Sequence, residues 1–130
     1  MTLEQALYTR LAAYANLTAL VSTRIYPLKL AQSPTLPAVT YQRISTVPMQ
    51  ALGASASVMV RSRIQVTSWA TTYAGAQLVA AQVRACLDGF AGMLGGVGGV
   101  NCTMTWIGQV DLIDPEEPWY YIATDFEAWE

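Results

Sequence analysis

The chain predicts an α+β domain: an antiparallel four-stranded, or slightly larger, sheet with two main helices packed on one face. Three observations carry this. Apolar residues recur at helical spacing over residues 2–15 and again over 72–88. Apolar and polar residues alternate over 58–69 and 119–129, the period of a strand with one core face. The remaining strand-like segments are joined by turns, which favours antiparallel pairing with the helices laid against the sheet.

The first helix has Thr2 as its cap and Gln5 at the capping-box position. Leu3, Ala6, Leu7, Leu11 and Tyr14 form its apolar stripe, and Asn16 and Thr18 loosen its end. A short extended piece, Arg24-Ile25-Tyr26, stops at Pro27. Pro27, Pro34 and Pro37 make 27–37 a loop or an edge excursion, because proline cannot donate to a ladder. Residues 38–45 read as a strand and 46–57 as a second connection. In the strand 58–69, Val58, Val60, Ile64 and Val66 point one way; Met59, Arg61, Arg63, Gln65 and Thr67 point the other. The second helix starts at Thr72, packs Ala76, Val79, Ala80, Val83, Cys86 and Leu87, and stops at Gly89. A glycine-rich loop at 92–99 leads to a strand over 100–110, an acidic turn over 111–118 and a final strand over 119–129. There is no internal repeat and no linker, so residues 1–130 read as a single domain.

Composition narrows the function. Apolar residues make up 53% of the chain and charged residues only 12%, against a usual charged share of about 25%. Subunit interfaces are poorer in charge than free surface, so a partner-covered surface is expected, the alternative being a neutral Thr/Ser/Gln/Ala surface. The net charge is −2 and the pI about 5.0. That leaves no basic patch for sequence-specific nucleic-acid binding. No apolar run of about 18 residues predicts a membrane span, and the N-terminus lacks the pattern of a secretory signal. Cys86 and Cys102 are read as buried free thiols in a reducing compartment.

The chemistry of a site is sparse. Histidine is absent, which removes the usual general base and the commonest metal ligand. Two cysteines without histidine make no zinc site, so no metal and no cofactor are expected. The 92–99 loop lacks the Gly-Lys-Ser/Thr ending of a phosphate cradle and follows a helix instead of preceding one, so it reads as a flexible turn. Asp111, Asp114, Glu116 and Glu117 lack calcium-loop spacing, and Pro115 and Pro118 stiffen the segment. Arg61 and Arg63 share one strand face, and Asp125 and Glu127 share another. If the two strands are neighbours these four residues form cross-strand ion pairs; the alternative, left open, is that they meet the next subunit.

Several landmarks follow one another in order: Arg24-Ile-Tyr-Pro27, Leu36-Pro-Ala-Val-Thr-Tyr41, Arg63-Ile-Gln-Val-Thr-Ser-Trp-Ala70, Val83-Arg-Ala-Cys-Leu87, Asp111-Leu-Ile-Asp114, Trp119-Tyr-Tyr121 and Asp125-Phe-Glu-Ala-Trp129. The series resembles the tail-completion proteins of long-tailed phages and prophages, also called tail terminators or tail-to-head joining proteins. The resemblance covers nearly the whole chain and departs at the glycine-rich loop and at Glu117-Pro118. It implies a structural virion protein of the tail or neck, assembled in the host cytoplasm, with no enzymatic activity and no cofactor. It implies a homo-hexameric ring that stops polymerisation of the major tail tube protein and joins the tail to the head-completion (stopper) protein. The tape-measure protein is a further implied partner, and DNA is met only in passage through the lumen. Within that implication the acidic turn, Asp111, Asp114, Glu116 and Glu117, is the candidate lumen lining, an outward solvated turn being the alternative. Three other readings stand beside it: another neck, connector or minor tail protein of similar fold; a small dimeric ligand-binding module; and an enzyme using carboxylates alone.

Overall fold

The computed structural model describes residues 2–30, 34–49, 52–53, 59–115 and 118–130. In chain order these form α1 (Leu3–Ala13), α2 (Ala15–Val21), β1 (Ile25–Pro27), β2 (Ala38–Met49), β3 (Met59–Ala70), α3 (Tyr73–Leu87), β4 (Ala91–Leu94), β5 (Val100–Ile113) and β6 (Tyr120–Trp129). The sheet has six strands in the order β1-β2-β3-β6-β5-β4.

The helix ends follow local chemistry. Thr2 accepts from the backbone N–H of Gln5 at 3.2 Å, and the Gln5 side chain accepts from the Thr2 backbone N–H at 2.9 Å, closing the capping box. Thr72 caps α3 by accepting from the Gly75 N–H at 3.0 Å. Gly89, at φ 76, takes the left-handed position after the Asp88 C-cap. Arg10 of α1 donates from Nε and Nη2 to the Cys86 carbonyl at 3.3 and 3.1 Å, satisfying an orphan carbonyl in the last turn of α3. Its guanidinium also lies 5.0 Å from the Phe90 ring centre.

The structure departs from the sequence expectation in the extent of four segments. Asn16 and Thr18 do not unwind the chain: Tyr14 breaks the helix at ψ 105 and α2 restarts behind it, because Leu17 and Val21, four apart, both bury completely. The 46–57 connection is shorter, since β2 runs on to Met49 opposite Met59. Part of the 92–99 loop is strand: β4 pairs antiparallel with Val100–Thr103, and the glycines form the hairpin turn between them. Likewise β5 continues through Asp111 to Ile113, so the acidic turn begins three residues later.

A fifth departure is one of direction. β1 pairs parallel to β2, with Ile25 opposite Val39 and Pro27 opposite Tyr41, so the sheet is mixed. A strand of three residues carries no directional signal, and the Pro-rich segment acts as the crossover that parallel pairing requires. Val39 N–H donates to the Arg24 carbonyl and Leu28 N–H to the Tyr41 carbonyl, both at 2.9 Å. Arg24 Nε donates to the Pro37 carbonyl at 2.8 Å and closes the crossover. Pro27 is tolerated because β1 is an edge strand.

β3 and β6 lie at the centre of the sheet and pair antiparallel over ten residues, Arg61–Ala70 against Trp129–Tyr120. Ile64 and Val66 of β3, and Phe126 and Ala128 of β6, bury completely in one cluster with Leu7 and Leu11 of α1, Leu17 and Val21 of α2, and Val83 and Leu87 of α3. A smaller cluster joins Ala70, Ile122, Ala76 and Ala80, where alanines let α3 approach closely. β-Bulges at Arg43/Ser45 and Trp106/Gly108 add twist on both sides of the centre. Both cysteines are free and buried, and burial is the main cause raising both thiols above their usual pKa range.

Phe126 is the largest fully buried side chain. Replacing it by alanine is expected to cost about 3–5 kcal/mol in chemical denaturation, whereas Phe126→Leu is expected to cost clearly less.

Candidate assembly surface

Between the core positions of the central strands stand residues that build a polar and aromatic ladder. Arg63 donates from Nη2 to Asp125 Oδ2 at 2.6 Å, and Gln65 Nε2 donates to Asp125 Oδ1 at 3.1 Å. Gln42 of β2 extends the row by donating to Gln65 Oε1 at 3.2 Å. Arg61 pairs with Glu127 at 3.2 Å and lies over the Trp129 ring at 5.5 Å. Register explains the partners. Arg63 faces Glu127 directly but reaches Asp125 diagonally, and Arg61 reaches Glu127 the same way. At the other end, Trp69 stacks on Tyr121 with centroids 4.5 Å apart, and its Nε1 donates to Thr40 Oγ1 at 3.1 Å. Asp125 is buried, whereas the Arg61 and Arg63 side chains are 44% and 51% exposed.

Of the four acidic residues of the second candidate group, Asp111 and Asp114 lie among the described residues, the first in β5 and the second in the turn after it. Asp111 lies in β5 and accepts from the Tyr73 hydroxyl and from Gln109 Nε2, the latter at 3.3 Å. The hydrogen bond to Asp111 is the main cause raising the Tyr73 phenol above its usual pKa. Asp114 closes the turn, its N–H donating to the Trp119 carbonyl at 2.9 Å. Glu116 and Glu117 lie outside the described residues. Among the described residues, no group of three or more Cys, Asp or Glu could hold a metal ion, and no helix is long and apolar enough to cross a membrane.

A third feature escaped the sequence. At the β1 edge an open groove of about 840 Å³ lies between α1, β1 and β2. Tyr8 and Tyr41 line it with ring centroids 6.3 Å apart, and Leu28, also in the lining, is 71% exposed. Leu28 adopts φ 67, a left-handed conformation costing a non-glycine residue about 1–3 kcal/mol. Glu4 and Arg43, the charged residues of the lining, pair with each other at 2.7 Å. No sequence period could have found the groove, because its residues come from three elements and Leu28 follows a proline in a loop.

The family described as Tail completion protein gp17 matches residues 5–130. The chain belongs to that family. It is a structural protein of the phage tail, part of the virion, and not an enzyme. The fold agrees with that of a solved chain from the virion of a native gene transfer agent (GTA) particle. The two superpose with a TM-score of 0.78 at 19% identity, covering 98% of this chain and 92% of that one. No curated protein matches the sequence significantly.

Two outcomes follow for this surface. Asp125→Ala is expected to cost about 1–3 kcal/mol in urea denaturation, at the lower end because half-exposed Arg63 regains water. Asp111→Asn is expected to lower the Tyr73 pKa, followed by NMR titration of the ring. Because the folded-state pKa is raised, the stabilisation is present below the unfolded value and is lost as pH rises through the folded one. The substitution therefore removes a stability difference seen only below that alkaline range.

Proposed function

We propose that residues 1–130 act as one subunit of a six-fold ring at the head-proximal end of the tail tube. The ring caps tube polymerisation and joins the tail to the head-completion protein, with DNA passing through its lumen. The match to the tail-completion family over residues 5–130 carries this reading. The likeness in fold to a virion chain of a gene transfer agent particle supports it, as does a charged share of 12%, which suits a surface covered by neighbours. In this reading the three helices lie together on one face of the sheet. The partly exposed arginines of the ladder, Arg61 and Arg63, keep the reach to meet a neighbouring subunit while holding Glu127 and Asp125. The acidic segment of Asp111, Asp114, Glu116 and Glu117 lines the channel, where like charge keeps DNA phosphates moving. Partners are further copies of the chain, the major tail tube protein, the stopper and the tape-measure protein.

Electron microscopy of the virion neck tests the reading: a six-fold ring of this chain between tube and connector is expected, and its absence there refutes it. Deleting the gene is expected to yield overlong or unjoined tails beside filled heads; normal-length tails attached to heads would contradict the assignment.

A further inference from the structure

Two strands of the sheet are only half covered, on opposite edges. β1 lies along Val39–Tyr41 of β2, and among the described residues no strand flanks β2 on that side from Gln42 to Met49. β4 lies along Val100–Thr103 of β5, and among the described residues no strand flanks β5 on that side from Met104 to Ile113. The second stretch is the less guarded: Trp106, Ile107, Val110, Leu112 and Ile113 are exposed, and Asp111 is its one charged residue. An exposed apolar edge is a template for another strand. Bonds already made show which residues bond outward. In β2 the Val39 N–H donates to the Arg24 carbonyl and the Tyr41 carbonyl accepts from Leu28. Alternation makes Arg43 the next, then Thr46 and Pro48 beyond the bulge. In β5 the Met104 N–H donates to the Phe90 carbonyl and the Trp106 N–H to Asp88 Oδ1. Gln109 and Asp111 follow beyond the bulge.

We propose that the free edge of β5 in one copy pairs antiparallel with the free edge of β2 in the next, Asp111 opposite Arg43 and Gln109 opposite Thr46. Three antiparallel steps separate β2 from β5, so the two run in opposite directions. Rotation about an axis along the strands keeps them so in neighbouring copies. Charge and length select this register. Within one copy Asp111 is level with Ile122, and Arg43, through Ile64, with Phe126. Sliding the neighbour by the four residues from Ile122 to Phe126, roughly 13 Å, brings the opposite charges together. It also sets Gln42–Pro48 against Leu112–Trp106, clear of β1 at one end and of β4 at the other. Both free edges then end at the same point: Pro48 has no N–H for Trp106, and the Trp106 N–H is already held by Asp88. The faces agree as well. Asp111 and Arg43 both stand on the helix side, with Tyr73 and Glu4, while Ser45, Val47 and Ile107 share the other side. Pairing β5 with a second β5 would give Asp111 no cation, since no Lys or Arg follows Arg84. The junction is heterologous, and its stagger suits strands tilted to the axis of a closed sheet. It rests on the ring reading for the symmetry relating the copies, but is testable separately.

The experiment mixes Val110→Cys protein with Ser45→Cys protein under mild oxidation. In this register the two positions form a non-hydrogen-bonded pair, whose short Cα separation suits a disulfide. Both are exposed, and the native Cys86 and Cys102 are buried. A cross-linked species is expected in the mixture and in neither variant alone. Thr46→Cys in place of Ser45→Cys is expected to give none, because Thr46 faces the helix side with Arg43 and Ser62. Gln109→Pro removes an N–H that only the neighbour uses. It is expected to weaken self-association about tenfold or more, with the monomer's thermal unfolding unchanged, as proline is tolerated at an edge. Rings that assemble without the cross-link overturn the junction and leave the ring reading standing. Cross-linked open chains in place of rings support the junction and overturn the ring. A Val110→Cys protein that links to itself overturns the junction, because β5 would then pair with β5. So does a Gln109→Pro protein that self-associates as the wild type does and loses only tube attachment, because the edge would then take another protein's strand.

Discussion

The antiparallel pairing of β3 with β6 is the constraint on which the rest of the molecule depends. Ten consecutive pairs place Ile64 opposite Phe126 on the core side and put the residues between them to another use. The period of two forbids a gradual compromise: a slip of one residue would carry Phe126 out of the core and Asp125 into it. The ion pairs and the core are thus two expressions of one register. Arg63 and Gln65 converge on Asp125 because the strands are held by the apolar residues on either side. Exposed ion pairs contribute little by themselves; burial of Phe126, Ile64 and their helix partners supplies the larger part.

The outer strands behave differently from the centre. β1 and β4 are short, and each covers only part of its neighbour, Val39–Tyr41 of β2 and Val100–Thr103 of β5. Edge strands left long and regular invite uncontrolled pairing. Here a proline in β1, a bulge in β2 and a bulge in β5 interrupt regularity where pairing would otherwise spread. The ring proposed for this chain needs such limits, since an open edge adds strands without counting them.

Low charge and lack of histidine bear on the same point. Of nine acidic and seven basic residues, several are committed within the chain: Glu4 to Arg43, Glu127 to Arg61, Asp125 to Arg63. Arg10 is turned inward to the end of α3 and Arg24 to the crossover. The charges thus serve largely to fasten elements together, leaving much exposed surface apolar or neutral, including Val97, Val110 and Ile113.

The sequence by itself determined both long helices, their caps at Thr2 and Thr72, the stop at Gly89, and the alternation that sorted Arg61, Arg63, Asp125 and Glu127 away from Ile64, Val66 and Phe126. These depend on neighbours within a turn or a strand, and short-range periodicity records them. The ordered landmarks from Arg24 to Trp129 also pointed to the family. Tertiary structure alone decided the parallel direction of β1, the rescue of α2 by burial of Leu17 and Val21, the pairing of β4 inside a glycine-rich segment, and the separation of Asp111 from the turn it was grouped with. It alone assembled the groove of Tyr8, Leu28 and Tyr41. Each of these rests on residues distant in the chain, whose packing overrides local preference and leaves no period to read.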